Sequence, residues 1–410
     1  MSGSKVYNLL KLEAVLHDSN LEPADFETAI TASGFGKFNL LLYIISIAAG
    51  WASVFETTTM SYVFPAAECD LQLTLSDKGL LNAVTYTGMI SSAFLWGFLC
   101  DILGRKKLLV YGFILDGIFF FIAAFSQNFS ILMTAKFLGG FIINGPFAAL
   151  ATYLSEFHNA EHRARVQMIL GAILSTGNLV LPLLALGILP LRTTWKLGRY
   201  FALHSWNFYL LVCALPSLVA GVAFIFLPES PKFLMTIGRN EKALEVFKRV
   251  YAMNTGKPAQ TFPELIQESN MKKNEKVATS NRTRIHAFRE GWQQIRPLFF
   301  PPHITKMILV VIMQGFTMMG LNTLRLWLPQ IFQAINDYQY YNNQSADLCD
   351  MLEVFQHKNA SLNLTTECFV NYNNTQVYTN AMIVSFTCTI GYITAGTLIN
   401  TVGKKKLLCK

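Results

Sequence analysis

Long apolar runs separated by short polar stretches dominate the chain. Eight of them approach or exceed the roughly 20 mostly apolar residues that a helix needs to cross a bilayer. They cover residues 38–55, 79–100, 108–125, 137–155, 166–191, 201–228, 307–332 and 378–399. The third run holds one acid, Asp116, the sixth a histidine, His204, and the seventh one base, Arg325, while the other five carry no charge. The runs are apolar on every side rather than on one stripe or at every second position. That pattern predicts helices buried in lipid rather than amphipathic surface helices or half-exposed strands. The expected class is therefore an all-α polytopic membrane protein with eight spans.

Composition supports this reading. Hydrophobic residues make up 52% of the 410 positions and charged residues 14%, against about 25% charged in soluble domains. This excludes a disordered chain, a collagen-like fibre and a disulfide-dense secreted module. The net charge is +8. The basic residues sit in short clusters between spans, which reads as membrane orientation rather than nucleic-acid binding. One side collects Arg105, Lys106 and Lys107, then Arg163 and Arg165, then the long loop after the sixth span, then Lys404, Lys405, Lys406 and Lys410. That side is expected to be cytosolic, together with the polar segment 1–37, which does not have the form of a signal peptide. Arg192, Lys196 and Arg199 dissent on the outer side.

The expected outer loop 336–376 carries four N-x-S/T sequons, at Asn343, Asn359, Asn363 and Asn373. Asn281 and Asn128 also begin sequons, the first on the cytosolic side and the second beside the membrane. Cys349 and Cys368 share the outer loop and are candidates for a disulfide. The alternatives are two free thiols, or a pairing of one of them with Cys69. The sequence has no phosphate-cradling loop, no His-Glu-x-x-His and no Cys-x-x-Cys. Neither enzymatic activity nor a cofactor nor a metal is expected. The expected partners are the lipid bilayer and a small-molecule or ion substrate, with no nucleic acid.

An internal repeat sharpens the picture. Gly97-Phe-Leu-Cys-Asp-Ile-Leu-Gly-Arg-Lys-Lys-Leu-Leu109 matches Gly396-Thr-Leu-Ile-Asn-Thr-Val-Gly-Lys-Lys-Lys-Leu-Leu408. Gly97 pairs with Gly396, Asp101 with Asn400, Gly104 with Gly403, and Arg105 with Lys404. Both copies close an even-numbered span, as in transporters built from two related halves. The glycines are expected to allow close helix packing. The acid is expected to meet a helix N-terminus or an arginine, and the basic triplet the anionic leaflet.

Gly97 to Lys107 resembles the signature loop between the second and third helices of the major facilitator superfamily. Lys136-Phe-Leu-Gly-Gly-Phe141 resembles the arginine-and-glycine motif of the fourth helix, with lysine in place of arginine. Tyr153-Leu-Ser-Glu156 followed by Arg163 resembles the glutamate and arginine beyond that helix, with Arg163-Ala164 for the usual Arg-Gly. Pro228-Glu-Ser-Pro-Lys232 resembles the motif after the sixth helix of sugar and organic-ion porters, and so singles out Glu229, Ser230 and Pro231. Asp25-Phe-Glu-Thr-Ala29, Gly34-Phe-Gly-Lys-Phe38, His204-Ser-Trp-Asn207 and Gly238-Arg-Asn-Glu-Lys-Ala243 are similar to the synaptic vesicle glycoprotein 2 and organic ion transporter-like group. The resemblance implies a fold of two six-helix bundles and secondary transport of a small organic solute or ion by alternating access.

On that pattern, residues 38–228 form a complete first bundle and 229–302 a cytosolic loop, helical over 240–252. Residues 303–410 begin a second bundle, truncated after two helices. About 120 further residues would complete it at roughly 30 per span. A non-transporting vesicle or plasma-membrane glycoprotein with a regulatory or binding role, or a nonfunctional truncated product, are the rival readings.

An ionisable residue inside a span costs about 2.5–3.5 kcal/mol even on insertion scales, so each is a functional candidate. Glu56, just past the first apolar run, and Arg325 lie at similar depths in helices that the resemblance implies are related by pseudo-symmetry and line a central cavity. They are expected to approach each other near the outer end of a central cavity, as a gate or substrate contact. Asp116 is a candidate proton carrier or a structural hydrogen-bond partner. Gln314 and Asn322 are candidate cavity residues, and the resemblance puts them at the polar positions of sugar porters.

Overall fold

The computed structural model describes residues 26–191, 194–196, 202–262, 296–342, 347–351 and 375–402. A short helix, α1 (Phe26–Ala32), precedes six membrane-length helices. These are α2 (Lys37–Ala67), α3 (Leu75–Leu103), α4 (Arg105–Ala124), α5 (Phe129–Glu156), α6 (Ala160–Ile188) and α7 (Ser205–Ile225). Two short helices follow, α8 (Pro231–Thr236) and α9 (Asn240–Thr255), and then α10 (Ile304–Asn342) and α11 (Thr375–Val402). A two-residue strand pair, β1 (Trp195–Lys196) with β2 (Ala202–Leu203), sits before α7. Among the described residues, eight helices are long and apolar enough to span a bilayer, as the apolar runs predict.

Local chemistry sets the ends of these helices. Thr74 and Asp77 form a capping box at the start of α3. Asn128 caps α5 by accepting from Ile131 N–H at 2.9 Å, and Asn159 caps α6. The sequon at Asn128 is thus a helix cap. Gly104 separates α3 from α4 with φ +90°, and a Cβ there would meet the Glu229 carboxylate and the Phe233 ring. Only glycine suits that turn.

Helix α3 packs along α5, α4 lies between α5 and α7, and α2 touches α5, α6 and α7. Small residues permit these approaches. A Cβ at Gly88 would collide with Phe137 O, one at Gly140 with Thr85 O, and one at Gly112 with the Pro146 ring. Gly97, expected to serve the same purpose, has nothing within 4 Å of its would-be Cβ. The close approach between α3 and α5 falls two turns earlier, at Gly88. Helix α11 packs along α6, and α10 touches α2 and α11.

The interior divides into two apolar clusters. One gathers Leu42, Ala52, Phe113, Ile143, Leu154, Leu170 and Phe224, and it extends over α1 and α9 through Phe26 and Phe247. The other gathers Val54, Phe64, Phe120, Leu132, Leu181, Trp206 and Cys213. Along α4, α5 and α7 the boundary between them falls at residues 113–120, 135–143 and 214–220. It therefore lies near mid-helix, and the buried Glu56, Asp116 and Lys136 sit there.

The sequons at Asn343, Asn359, Asn363, Asn373 and Asn281, as well as Cys368, Gly403 and Lys404, lie outside the described residues. So does the side chain of Asn400. Cys349 is an exposed free thiol, so the expected bridge from it is not formed. The covalent tie instead starts from Cys69, directly after α2, which is disulfide-bonded.

Replacing Gly140 by alanine should destabilise the protein by about 1–3 kcal/mol. Alanine's gain of about 1 kcal/mol in helix propensity is outweighed by its collision with the α3 backbone. Gly97→Ala should cause no loss. Thermal unfolding of the two variants in detergent micelles checks the contrast.

Candidate functional site

The boundary between the two apolar clusters is polar. Glu56 projects from the middle of α2 and Lys136 from α5, and both side chains are buried, at 1% and 0% exposure. Lys136 Nζ lies 2.8 Å from Glu56 Oε1 and donates to Glu56 O at 2.8 Å. The ammonium also sits 4.5 Å above the Phe120 ring. The Glu56 carboxylate has no other hydrogen-bond partner among the described residues. A Cβ on Gly139 would collide with this carboxylate. The spacing Lys136, Gly139, Gly140 thus puts the cation, the space for its partner and the contact with α3 on one face of α5.

Asp116 of α4 is fully buried at the same level. The Ser217 hydroxyl of α7 donates to its Oδ2, and Oδ1 has no partner among the described residues. On the side facing α11, Ser175 and Thr389 hydroxyls bond at 2.9 Å, and Trp51 Nε1 donates to Thr176 at 3.0 Å. Together these residues form a belt of polar contacts across the bundle, near the middle of its spans.

Arg325 does not meet Glu56. Its Nη2 donates to Tyr86 OH of α3 at 3.0 Å and to Asn322 Oδ1 at 2.9 Å. The expected Glu56–Arg325 pair is therefore corrected on two counts. Helix α2 runs on to Ala67, which puts Glu56 at mid-helix instead of near the outer end. Lys136 is wholly enclosed and needs a counter-charge, and Glu56 supplies it. Gln314 lies on an exposed stretch of α10 and touches nothing in the belt. Asn322 Nδ2 is used locally, donating to Met318 O.

The signature residues assemble at the end of the bundle that carries the basic loops. Arg105 Nε lies 3.3 Å from Glu156 Oε2, and the guanidinium stacks on Phe233 at 5.1 Å. Asp101 is exposed and reaches Arg105 Nη2 at 3.5 Å. Glu229, rather than Asp101, meets a helix N-terminus: its Oε1 accepts from Lys106 N at 2.9 Å. Ser230 caps α8 through Phe233 N, Pro231 occupies its first turn, and Tyr153 OH donates to Pro228 O. The side chain of Lys107 is exposed. Gly396 of α11 makes ordinary contact, with its would-be Cβ 3.5 Å from Met168.

Arg163 pairs with Glu27 of α1 and not with Glu156. Asn254 of α9 donates to Ser33 O and Gly34 O and accepts from Phe38 N, so α1, α9 and the start of α2 are joined. Glu27 lies in the quoted Asp25–Ala29 motif, which does not disclose its partner, and Asn254 lies in none of the quoted motifs.

Between α5 and α6, His158 is enclosed. Its Nδ1 donates to Leu154 O at 2.7 Å, because that oxygen can only accept. Its Nε2 therefore accepts from Tyr43 OH at 2.8 Å and from Asn39 Nδ2 at 3.2 Å. Burial pulls its pKa down, with the Leu154 hydrogen bond opposing and His162 adding to the fall.

The family model described as the Major Facilitator Superfamily matches residues 43–408. Synaptic vesicle glycoprotein 2B of Rattus norvegicus is 29% identical over 332 residues, covering 77% of this chain and 48% of the relative. Synaptic vesicle glycoprotein 2A of Rattus norvegicus is 33% identical over 241 residues, covering 58% and 32%. The chain spans about half the length of the first of these relatives. Among solved structures, the xylose transporter XylE from E. coli in a partially occluded inward-open conformation aligns with a TM-score of 0.56. The identity is 13%, over 90% of this chain and 75% of that one.

Removing one member of the buried pair should be far worse than removing both. Lys136→Met should cost about 3–5 kcal/mol, and the double variant with Glu56→Gln should recover most of it. Additive losses in thermal unfolding would contradict the pairing. His158 adds a pH effect. Its folded pKa lies below the unfolded value of about 6.5, so its stabilisation is complete above pH 6.5 and lost as the pH falls through the folded value. Stability measured between about pH 7 and 5 should fall less steeply in His158→Asn.

Proposed function

The chain belongs to the major facilitator superfamily, and on that footing we propose that it is a secondary transporter of a small organic solute by alternating access. The observation that carries this reading is the Glu56–Lys136 ion pair, enclosed at mid-helix beside Asp116. Charges inside a span are costly and persist where they serve a pathway or a coupling step. Protonation of Glu56 would remove the counter-charge of Lys136 and let α2 and α5 shift. That links proton binding to a rearrangement of the bundle. Asp116, held by Ser217, is a second proton site in reach of the same charges.

The end bearing Arg105, Arg163, α1, α8 and α9 is proposed to face the cytosol, by the excess of basic residues there. Residues 38–228 then form the first bundle, 229–302 the cytosolic connection and 303–410 the start of the second bundle. Loop 336–376 with its sequons faces the outside or a vesicle lumen. No enzymatic role is proposed. A non-transporting vesicle or plasma-membrane glycoprotein is the second reading. It is favoured by the name of the relatives, synaptic vesicle glycoprotein 2, which speaks of a vesicle glycoprotein and names no transported solute.

Reconstituted in liposomes under a pH gradient, the full chain should accumulate at least one radiolabelled member of a panel of sugars, organic cations and organic anions. The double variant of Glu56→Gln with Lys136→Met, which leaves no buried charge unpaired, should abolish accumulation and spare counterflow exchange. Failure of the folded wild type to accumulate any member would favour the second reading.

A further inference from the structure

Arg325 is the charge that the belt leaves unanswered. Every acid nearby in the first bundle has its own partner. Glu56 holds Lys136, Glu68 holds Lys78, Asp70 holds Trp206 Nε1 and His204, Asp77 caps α3, and Asp116 takes the Ser217 hydroxyl. Among the described residues, Arg325 makes no ion pair. Its two hydrogen bonds go to neutral oxygens, of Tyr86 and Asn322. Its Nε is buried without a partner among those residues.

Further unmet polar side chains lie along these two helices. Asn82, one turn from Tyr86 along α3, is 7% exposed, and neither of its amide atoms has a partner among the described residues. Gln330, further along α10, is 4% exposed and equally unmet among those residues. Two side-chain contacts join the helices here, Arg325 to Tyr86 and the Trp327 ring at 3.8 Å from the would-be Cβ of Gly79. An uncompensated guanidinium in a span is costly, and planar donors in a fixed fork match a carboxylate. The amide of Asn82, one turn from Tyr86, can donate to or accept from the rest of a polar solute.

We propose that Arg325 binds the carboxylate of a small organic anion between α3 and α10, with Tyr86 and Asn322 orienting the guanidinium. The proposal names the substrate class of the transport reading and rests on that reading for its role, though not for the binding itself.

The test uses the purified full chain in detergent and three pairs of isosteric probes: benzoate and benzamide, nicotinate and nicotinamide, lactate and lactamide. At fixed ionic strength, at least one carboxylate should raise the thermal midpoint saturably while its amide does not. Arg325→Gln should weaken the apparent affinity about tenfold or more. Arg325→Lys, which keeps the charge, should retain part of the response and controls for loss of folding. The absence of a saturable shift with all three carboxylates overturns the proposal, as does a shift that survives in folded Arg325→Gln or is matched by the amides. Liposome uptake of the responding carboxylate separates the two claims. Binding without uptake leaves the anion site standing and overturns the transport reading. Uptake of amide and carboxylate alike overturns the anion site and leaves transport standing.

Discussion

A lysine and a glutamate shut away from water in the middle of a helical bundle must find each other, and much of the first bundle is arranged so that they do. In a bilayer neither charge has an alternative partner in solvent, and the separate cost of each would be several kcal/mol. Helix α5 brings Lys136 to α2, and Gly139 leaves the space that the Glu56 carboxylate fills. Gly140 lets the same helix touch the α3 backbone. The two apolar clusters close over the pair from both ends. The pair is thus held between two apolar clusters, an arrangement suited to a site that must change its charge state without admitting bulk water.

The end with the basic loops is tied by different chemistry. Its contacts are short-range caps and ion pairs: Arg105 with the largely buried Glu156, Glu229 with the start of α4, and Glu27 with Arg163, these last two residues both partly exposed. Such contacts can be remade at modest cost, whereas the pair at mid-helix cannot be broken without neutralising one member. A bundle with a stiff charged centre and adjustable ties at one end has the mechanical character that rocking motions need.

Much of this was legible in the sequence. The eight apolar runs give the spans, because lipid selects for length and composition with little regard to neighbours. The Lys136-to-Gly140 spacing marks the face of α5 that matters. Pairing was harder to read. Glu56 and Arg325 appeared to be natural partners by depth, yet the choice was settled by the full enclosure of Lys136, a property of packing and not of local sequence. The end of α2 was misjudged for a related reason. The hydropathy run stops at Phe55, but the helix continues through Thr57, Thr58 and Thr59, and the Thr57 and Thr59 hydroxyls bond back to their own helix. Asn254 and Glu27 show the same limit, since their partners lie more than 100 positions away in the chain.

The central claim is that the charge state of Glu56 governs the arrangement of the spans. Spin labels at Lys107 and Lys306, both exposed, would report the distance between the first bundle and α10 by pulsed electron resonance in liposomes. The account predicts a distance distribution that shifts between pH 8 and pH 5 in the otherwise wild-type chain and no longer responds to pH in the double variant of Glu56→Gln with Lys136→Met. Distributions that shift equally in both proteins, or in neither, would contradict it.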